Sequence, residues 1–260
     1  LNRRGMMVTL DYLGESVRSE QDTRAVVPMY RRLLARIHEA EAQASVSLKL
    51  THLGLDIGEE LCVLNLRQIL TDARTFDIPV TIDMESSAYT ERTLRIYRTM
   101  RDEYDFGNVG TVIQAYLYRS KADMETLSAE NAHIRLCKGA DLEPPAVAYP
   151  DKADVDRQYV EVMRSFLSAG TDAYLCIATH DELIIQQAEA LLVDDSSLTS
   201  RSEFQMLYGI RSARQEALAA AGYPVRVYVP FGEAWYPYFM RRLAERPANL
   251  MFFVRGFFSR

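Results

Sequence analysis

"SVSLKLT", residues 45–51, decides the fold. In an extended chain successive side chains point to opposite sides. Val46, Leu48 and Leu50 then face one way, and Ser47 and Lys49 the other. The same split recurs in "VTIDM" (80–84), with Val80, Ile82 and Met84 against Thr81 and Asp83. It recurs again in "VRVYV" (225–229), with Val225, Val227 and Val229 against Arg226 and Tyr228. An ordinary parallel strand is apolar on both faces. These runs are apolar on one face and carry charge on the other. The apolar set should meet a layer of helices, and the polar set should point into the interior of a closed barrel.

Five further runs fit the same grammar: "MMVTLDYL" (6–13), "TVIQAY" (111–116), "HIRLCKG" (133–139), "AYLCIAT" (173–179) and "SEFQML" (202–207). Amphipathic segments lie between the runs, at 24–43, 59–75, 90–104, 154–169, 181–193 and 211–221. Strand–helix alternation at this rhythm means parallel βαβ units. Eight of them in a chain of 260 residues predict an α/β fold, a (β/α)8 TIM-type barrel, read as a single domain over 1–260. A doubly wound open sheet is the alternative. No GxGxxG follows the first run, so a Rossmann dinucleotide site has no support.

Continuing the alternation places Thr9, Asp11, Gln114, Arg135, Cys137, Glu203 and Gln205 inside as well. The interior charges are then Asp11, Asp83 and Glu203 against Lys49, Arg135 and Arg226. Taking ions out of water costs several kcal/mol each unless they are paired. Two readings compete: a salt-bridge lattice that only fixes the fold, or a polar site at the C-terminal strand ends, where barrel enzymes place their chemistry.

After the last run comes "WYPYFMRRLAERP" (235–247). If it is helical from Pro237, Tyr238, Arg241, Arg242 and Glu245 share one face. Alone, such a pair of arginines reads as solvated surface. Laid across the barrel mouth, the two guanidiniums would grip a small carboxylate, each offering a planar donor fork.

Composition narrows the class. A formal net charge of −6 argues against a generic nucleic-acid binder. Cys62, Cys137 and Cys176 are widely spaced, and the four histidines (His38, His52, His133 and His180) form no ligand pattern, so no metal site is expected. No apolar run is long enough to span a bilayer. The terminal "LMFFVRGFFSR" (250–260) reads either as a packed helix end or as a membrane-surface contact. The chain begins with Leu1, and a preceding helical segment is expected to be missing.

The ordered set "TLDYLGE", "VSLKLT", "IDMES", "IQAYLYR", "IRLCKGA", "AYPDK", "IATHD", "EFQMLYG", "RVYVPFG" and "YFMRRLAERPAN" resembles the proline dehydrogenases, most of all the bacterial monofunctional ones. The resemblance implies a distorted (β/α)8 barrel with the last helix over its C-terminal mouth. It implies FAD, oxidation of L-proline to Δ1-pyrroline-5-carboxylate, and electrons passed to a quinone. It also implies a cytoplasmic protein with peripheral contact on the inner membrane face. Oligomeric state is not read from it.

Residue by residue, the resemblance carries the following. Arg241 and Arg242 match the pair that binds the proline carboxylate, and Glu245 matches a glutamate paired with them. Tyr228 and Tyr238 match the aromatic walls of the proline ring, and Lys49 and Asp83 a charged pair under the substrate. Arg135 matches the arginine near the reactive flavin nitrogen, and with Asp83 forms the expected catalytic set. Gln114 matches a flavin-ring contact. Met84, Lys138, Gly139, Ala140, Thr179 and His180 match positions around the flavin or its phosphate and ribose chain. "EFQ" (203–205) matches a motif on the seventh strand. One position departs: the family pattern "KGAY" reads "KGAD" here, with Asp141 in place of a tyrosine that shapes the proline pocket. Oxidation of a proline analogue, and a Schiff-base aldolase using Lys49 or Lys138, are the alternatives.

Overall fold

A computed structural model describes residues 1–236 and Met240. Eight parallel strands close into a barrel in chain order: β1 (Met7–Tyr12), β2 (Ala44–Leu48), β3 (Val80–Ile82), β4 (Val109–Gln114), β5 (His133–Cys137), β6 (Tyr174–Ala178), β7 (Ser202–Leu207) and β8 (Val225–Phe231). The seam joins β1 to β8, with Thr9 opposite Tyr228 and Asp11 opposite Pro230. The open-sheet alternative is thereby excluded.

Among the described residues, seven α-helices alternate with the strands: α1 (Glu20–Glu39), α2 (Glu59–Thr75), α3 (Ser87–Arg98), α4 (Ser120–Ala129), α5 (Lys152–Ser168), α6 (Glu182–Asp194) and α7 (Ser212–Ala220). α1 starts where Ser19 accepts a hydrogen bond from the Asp22 amide, which satisfies one of the orphan donors of the first turn. α4 is the helix that the hydropathy pattern does not reveal. Its sequence, SKADMETLSA, buries only Ser120, Met124, Leu127 and Ser128, so its apolar stripe is too thin to read.

The outward strand faces form the core. Val46, Leu48, Ile82, Ile134, Leu136, Leu175, Ile177, Val225 and Val227 are buried in one cluster with Leu34, Leu66, Leu94, Met163 and Ile185 of the helices. Each such side chain contributes roughly 1.5–3 kcal/mol by leaving water. This ring of aliphatic contacts holds the barrel closed while its axis carries ions.

Candidate active site

Two polar networks fill the barrel axis. The one nearer the N-terminal strand ends joins Arg226 to both oxygens of Glu203, at 2.7 and 3.1 Å, and to Ser45 Oγ at 3.1 Å. Ser45 also meets Thr9, Oγ to Oγ1 at 2.7 Å. Burial works to raise the Glu203 carboxyl, but the adjacent Arg226 holds it below the usual glutamate range. His133 opens β5 beside this network, and its Nε2 lies 3.1 Å from the Cys176 thiol. Burial pulls His133 down to about 4, so the ring is neutral.

The second network lies one step toward the C-terminal ends. Gln205 bridges the two, donating to Glu203 Oε1 at 2.6 Å and accepting from Arg135 Nε at 2.6 Å. Arg135 also donates to Asp83 Oδ1 at 2.5 Å and to Ser47 Oγ at 2.9 Å. Its guanidinium sits 5.3 Å from the Tyr228 ring centroid. Four strands thus fix one cation. Tyr228 Oη in turn lies 2.6 Å from Asp11 Oδ2 and 2.9 Å from Asp83 Oδ2.

The expected pairing of Lys49 with Asp83 is not what forms. Lys49 Nζ comes within 3.8 Å of Asp11, and Asp83 pairs with Arg135. The cause is register. Asp11 lies opposite Ser47, which places Lys49 two residues beyond it on the neighbouring strand, while the long guanidinium crosses the axis to reach Asp83. The interior charges therefore meet one another along the axis, Arg226 with Glu203 and Arg135 with Asp83, with Lys49 and Asp11 beside them toward the C-terminal strand ends.

Around the mouth, Gln114 ends β4 buried, with its Oε1 lacking a hydrogen-bond partner among the described residues. Two residues past the end of β5, Gly139 adopts φ +106°, and a Cβ there would lie 2.5 Å from the Tyr116 ring. The following loop is exposed at Ala140 and Asp141, and returns through Glu143. Glu143 accepts from the Ser87 amide at 2.6 Å and from Ser87 Oγ at 2.5 Å, tying the loop to the start of α3. Burial, then the charges of Glu143 and Asp141, push the Tyr116 phenol up, which places Asp141 in electrical reach of that ring.

Lys138 points at carboxylates rather than at the axis. It bonds Asp156 and, at 2.7 Å, Asp181, and Lys152 joins the same two acids. Burial works to raise Asp181, but Lys138 and then Lys152 hold it down at about 2. Thr179 is buried and accepts from the Asp181 amide at 3.1 Å. His180 Nε2 accepts from the Leu207 amide at 2.9 Å, which ties β6 to β7. Capping of α6 falls to Asp181, not His180. Met84 packs against the apolar core, as its place in the alternation requires. Tyr238, Arg241, Arg242 and Glu245 lie outside the described residues, as does the expected helix over the mouth.

The alternation had placed Asp11 and Ser47 inside without giving either a role in the site, yet Ser47 holds Arg135 and Asp11 holds Tyr228. Glu143 was missed altogether. Its partner is 56 residues away across an irregular loop, so no local spacing could have announced it.

A closed parallel barrel with an ion-lined axis and a polar cluster at its C-terminal strand ends is the frame of a (β/α)8 barrel enzyme. A family model described as proline dehydrogenase matches residues 1–255. Proline dehydrogenase 1 of Bacillus subtilis is 45% identical over 256 residues, which span 98% of this chain and 83% of that protein. Proline dehydrogenase of Deinococcus radiodurans is 42% identical over 259 residues, with the same coverage of 98% and 83%. Among solved structures, proline utilization A from Bdellovibrio bacteriovorus, inactivated by N-propargylglycine, superposes with a TM-score of 0.86 at 25% identity, covering 99% of this chain and 32% of that one. The chain belongs to the proline dehydrogenase family.

Proposed function

We propose that this chain oxidises L-proline to Δ1-pyrroline-5-carboxylate, the first step of proline breakdown, using FAD and passing electrons to a quinone. The observation that carries the reading is the family match along the whole chain, joined to an interior in which the matched charged residues form one connected floor. The residues at the mouth fit a flavin. Gln114 offers a buried acceptor without a partner among the described residues, suited to a ring N–H, and Gly139 leaves room where any side chain would strike Tyr116. Gln114, Lys138, Gly139, Ala140, Thr179 and His180 would hold the cofactor, with Met84 beside it through its backbone. The flavin supplies the hydride acceptor, and the protein positions and tunes it.

The chain's own residues do the rest. Arg241 and Arg242 clamp the substrate carboxylate, and Glu245 holds the arginines in place. That grip sets the ring carbon C5 in attack geometry, which can supply roughly 7–11 kcal/mol of the barrier at best. Tyr228 and Tyr238 flank the ring. The amine must lose its proton to solvent before C5 gives up hydride, because the nitrogen lone pair becomes the new C=N bond. Arg135 keeps its charge on the axis: burial opposes it, but Asp83 and its other neighbours, Tyr228 foremost, together outweigh the burial. It can therefore stabilise negative charge that develops above it. Cytoplasmic location, with contact on the inner membrane face, belongs to the same proposal. Among the described residues, no helix is long and apolar enough to cross a membrane.

A Schiff-base aldolase is disfavoured. That chemistry needs a neutral amine. Burial works to lower Lys49, but it stands among four acids, Asp11, Asp83, Glu15 and Glu85, whose shared negative charge favours its ammonium, and Lys138 is held by two carboxylates. Asp141 leaves oxidation of a proline analogue as the second reading, since an exposed acid stands where the family has a tyrosine. Replacing Arg241 by lysine tests the clamp. The KM for proline should rise roughly tenfold or more, the loss of about 1.4 kcal/mol of binding, with flavin content unchanged. An unaltered KM removes the clamp.

A further inference from the structure

Tyr228 Oη stands between two carboxylates, 2.6 Å from Asp11 Oδ2 and 2.9 Å from Asp83 Oδ2, yet a phenol has one proton to give. If both acids were ionised, one carboxylate oxygen would face the phenol oxygen with no proton between them, inside a buried core. Such an arrangement costs the full desolvation of an unmet acceptor. A second proton in the group removes the conflict.

The geometry says which acid carries it. Asp83 receives the Arg135 guanidinium on Oδ1 at 2.5 Å, the kind of charge-assisted contact that favours its anion. Asp11 has no such donor. Its side chain is 1% exposed, and its Oδ1 is buried with no hydrogen-bond partner among the described residues. The groups that face it are Lys49 just past β2, Asp83 just past β3, Arg135 from β5 and Tyr228 from β8, with the Tyr30 hydroxyl of α1 behind. Lys49 favours the Asp11 anion, but at 3.8 Å it is beyond hydrogen-bonding distance and leaves Oδ1 unserved. We infer that Asp11 is a neutral carboxylic acid in the folded protein, the head of a one-way chain in which Asp11 donates to Tyr228, and Tyr228 donates to the Asp83 anion held by Arg135. Desolvation of Asp11, the largest influence on it, acts in the same direction.

Asp11 is then a positioning residue. It fixes the direction of the Tyr228 hydroxyl, and through it the tyrosine ring that lies against Arg135. The inference rests on donor counting alone, so it survives or fails independently of the proline reading.

Isotope-edited infrared spectroscopy of the purified protein at pH 7 tests it, comparing samples with ordinary and carbon-13-labelled aspartate. The expected result is one protonated-carboxyl carbonyl band, sensitive to the label, shifted by D2O and lost in Asp11→Asn. In Tyr228→Phe the band should move to higher frequency as the acid loses its acceptor. This second variant serves if Asp11→Asn does not fold. Absence of the band in the parent protein overturns the inference. So does a band that persists in Asp11→Asn, a band that only Asp83→Asn removes, or a band that Tyr228→Phe leaves unmoved.

Discussion

Replacing Arg135 by methionine keeps a long apolar stem and removes three hydrogen bonds, to Asp83, Gln205 and Ser47. The loss can be worked from these contacts. Hydrogen bonds made by a charged group contribute about 1.5–3 kcal/mol each, and leaving a buried charge without its partner costs about 3–5 kcal/mol. Asp83 is the charge left behind, and Tyr228 remains to serve one of its oxygens. The net cost should be about 4 kcal/mol. At roughly 2–4 °C per kcal/mol for a chain of this size, the melting point should fall by about 10 °C. Urea unfolding followed by circular dichroism measures the change, with an unchanged slope showing that the same surface unfolds. The double variant Asp83→Asn, Arg135→Met should be less destabilised than the sum of its singles, by about 2 kcal/mol, because removing the acid removes the stranded charge. A single-variant loss under about 1 kcal/mol, or strict additivity, would refute the view that Arg135 is held by its charge partner.

Three further outcomes are expected. His133 is pulled down to about 4 from an ordinary 6.5, so the unfolded chain binds a proton first as pH falls. Stability from this residue is full above pH 6.5 and drains as pH drops toward 4, about 2 kcal/mol of it between pH 7 and pH 5. In His133→Gln that part of the acid sensitivity should vanish from unfolding curves at the two pH values, and an unchanged pH dependence would contradict it. Removing the Glu143 carboxylate with alanine strips two acceptors from Ser87 and should cost about 2 kcal/mol. It should also speed proteolysis within the 139–147 loop, whereas equal cleavage rates would show that the tie is idle. Arg226→Met should destabilise more than Arg135→Lys, because it leaves Glu203 buried with neutral donors, Gln205 and the Tyr174 hydroxyl, in place of its cation; the reverse order in urea unfolding would count against the pairing.

Much of the fold was legible because the two faces of its strands differ so sharply. Ser47 and Lys49 against Val46 and Leu48 already implied a barrel with a polar axis, and the structure has it. α4 was not legible, because its buried face holds two serines among its four residues. The inward residues of the site could be named by counting in twos, but their partners could not. Whether Lys49 meets Asp83 or Asp11 depends on strand stagger and side-chain reach across the axis, and neither is a local property of sequence. The same limit applies to Lys138, whose partners Asp156 and Asp181 come from α5 and the turn after β6. Arg241, Arg242, Tyr238 and Glu245 rest on the resemblance of "YFMRRLAERPAN" and lie beyond the described residues.

The most direct measurement is the visible spectrum of the purified protein before and after L-proline is added under argon. A bound flavin predicts a yellow protein whose long-wavelength absorbance is bleached by proline and restored by an oxidising dye. A colourless protein, or a yellow one that proline leaves unchanged, would contradict the account.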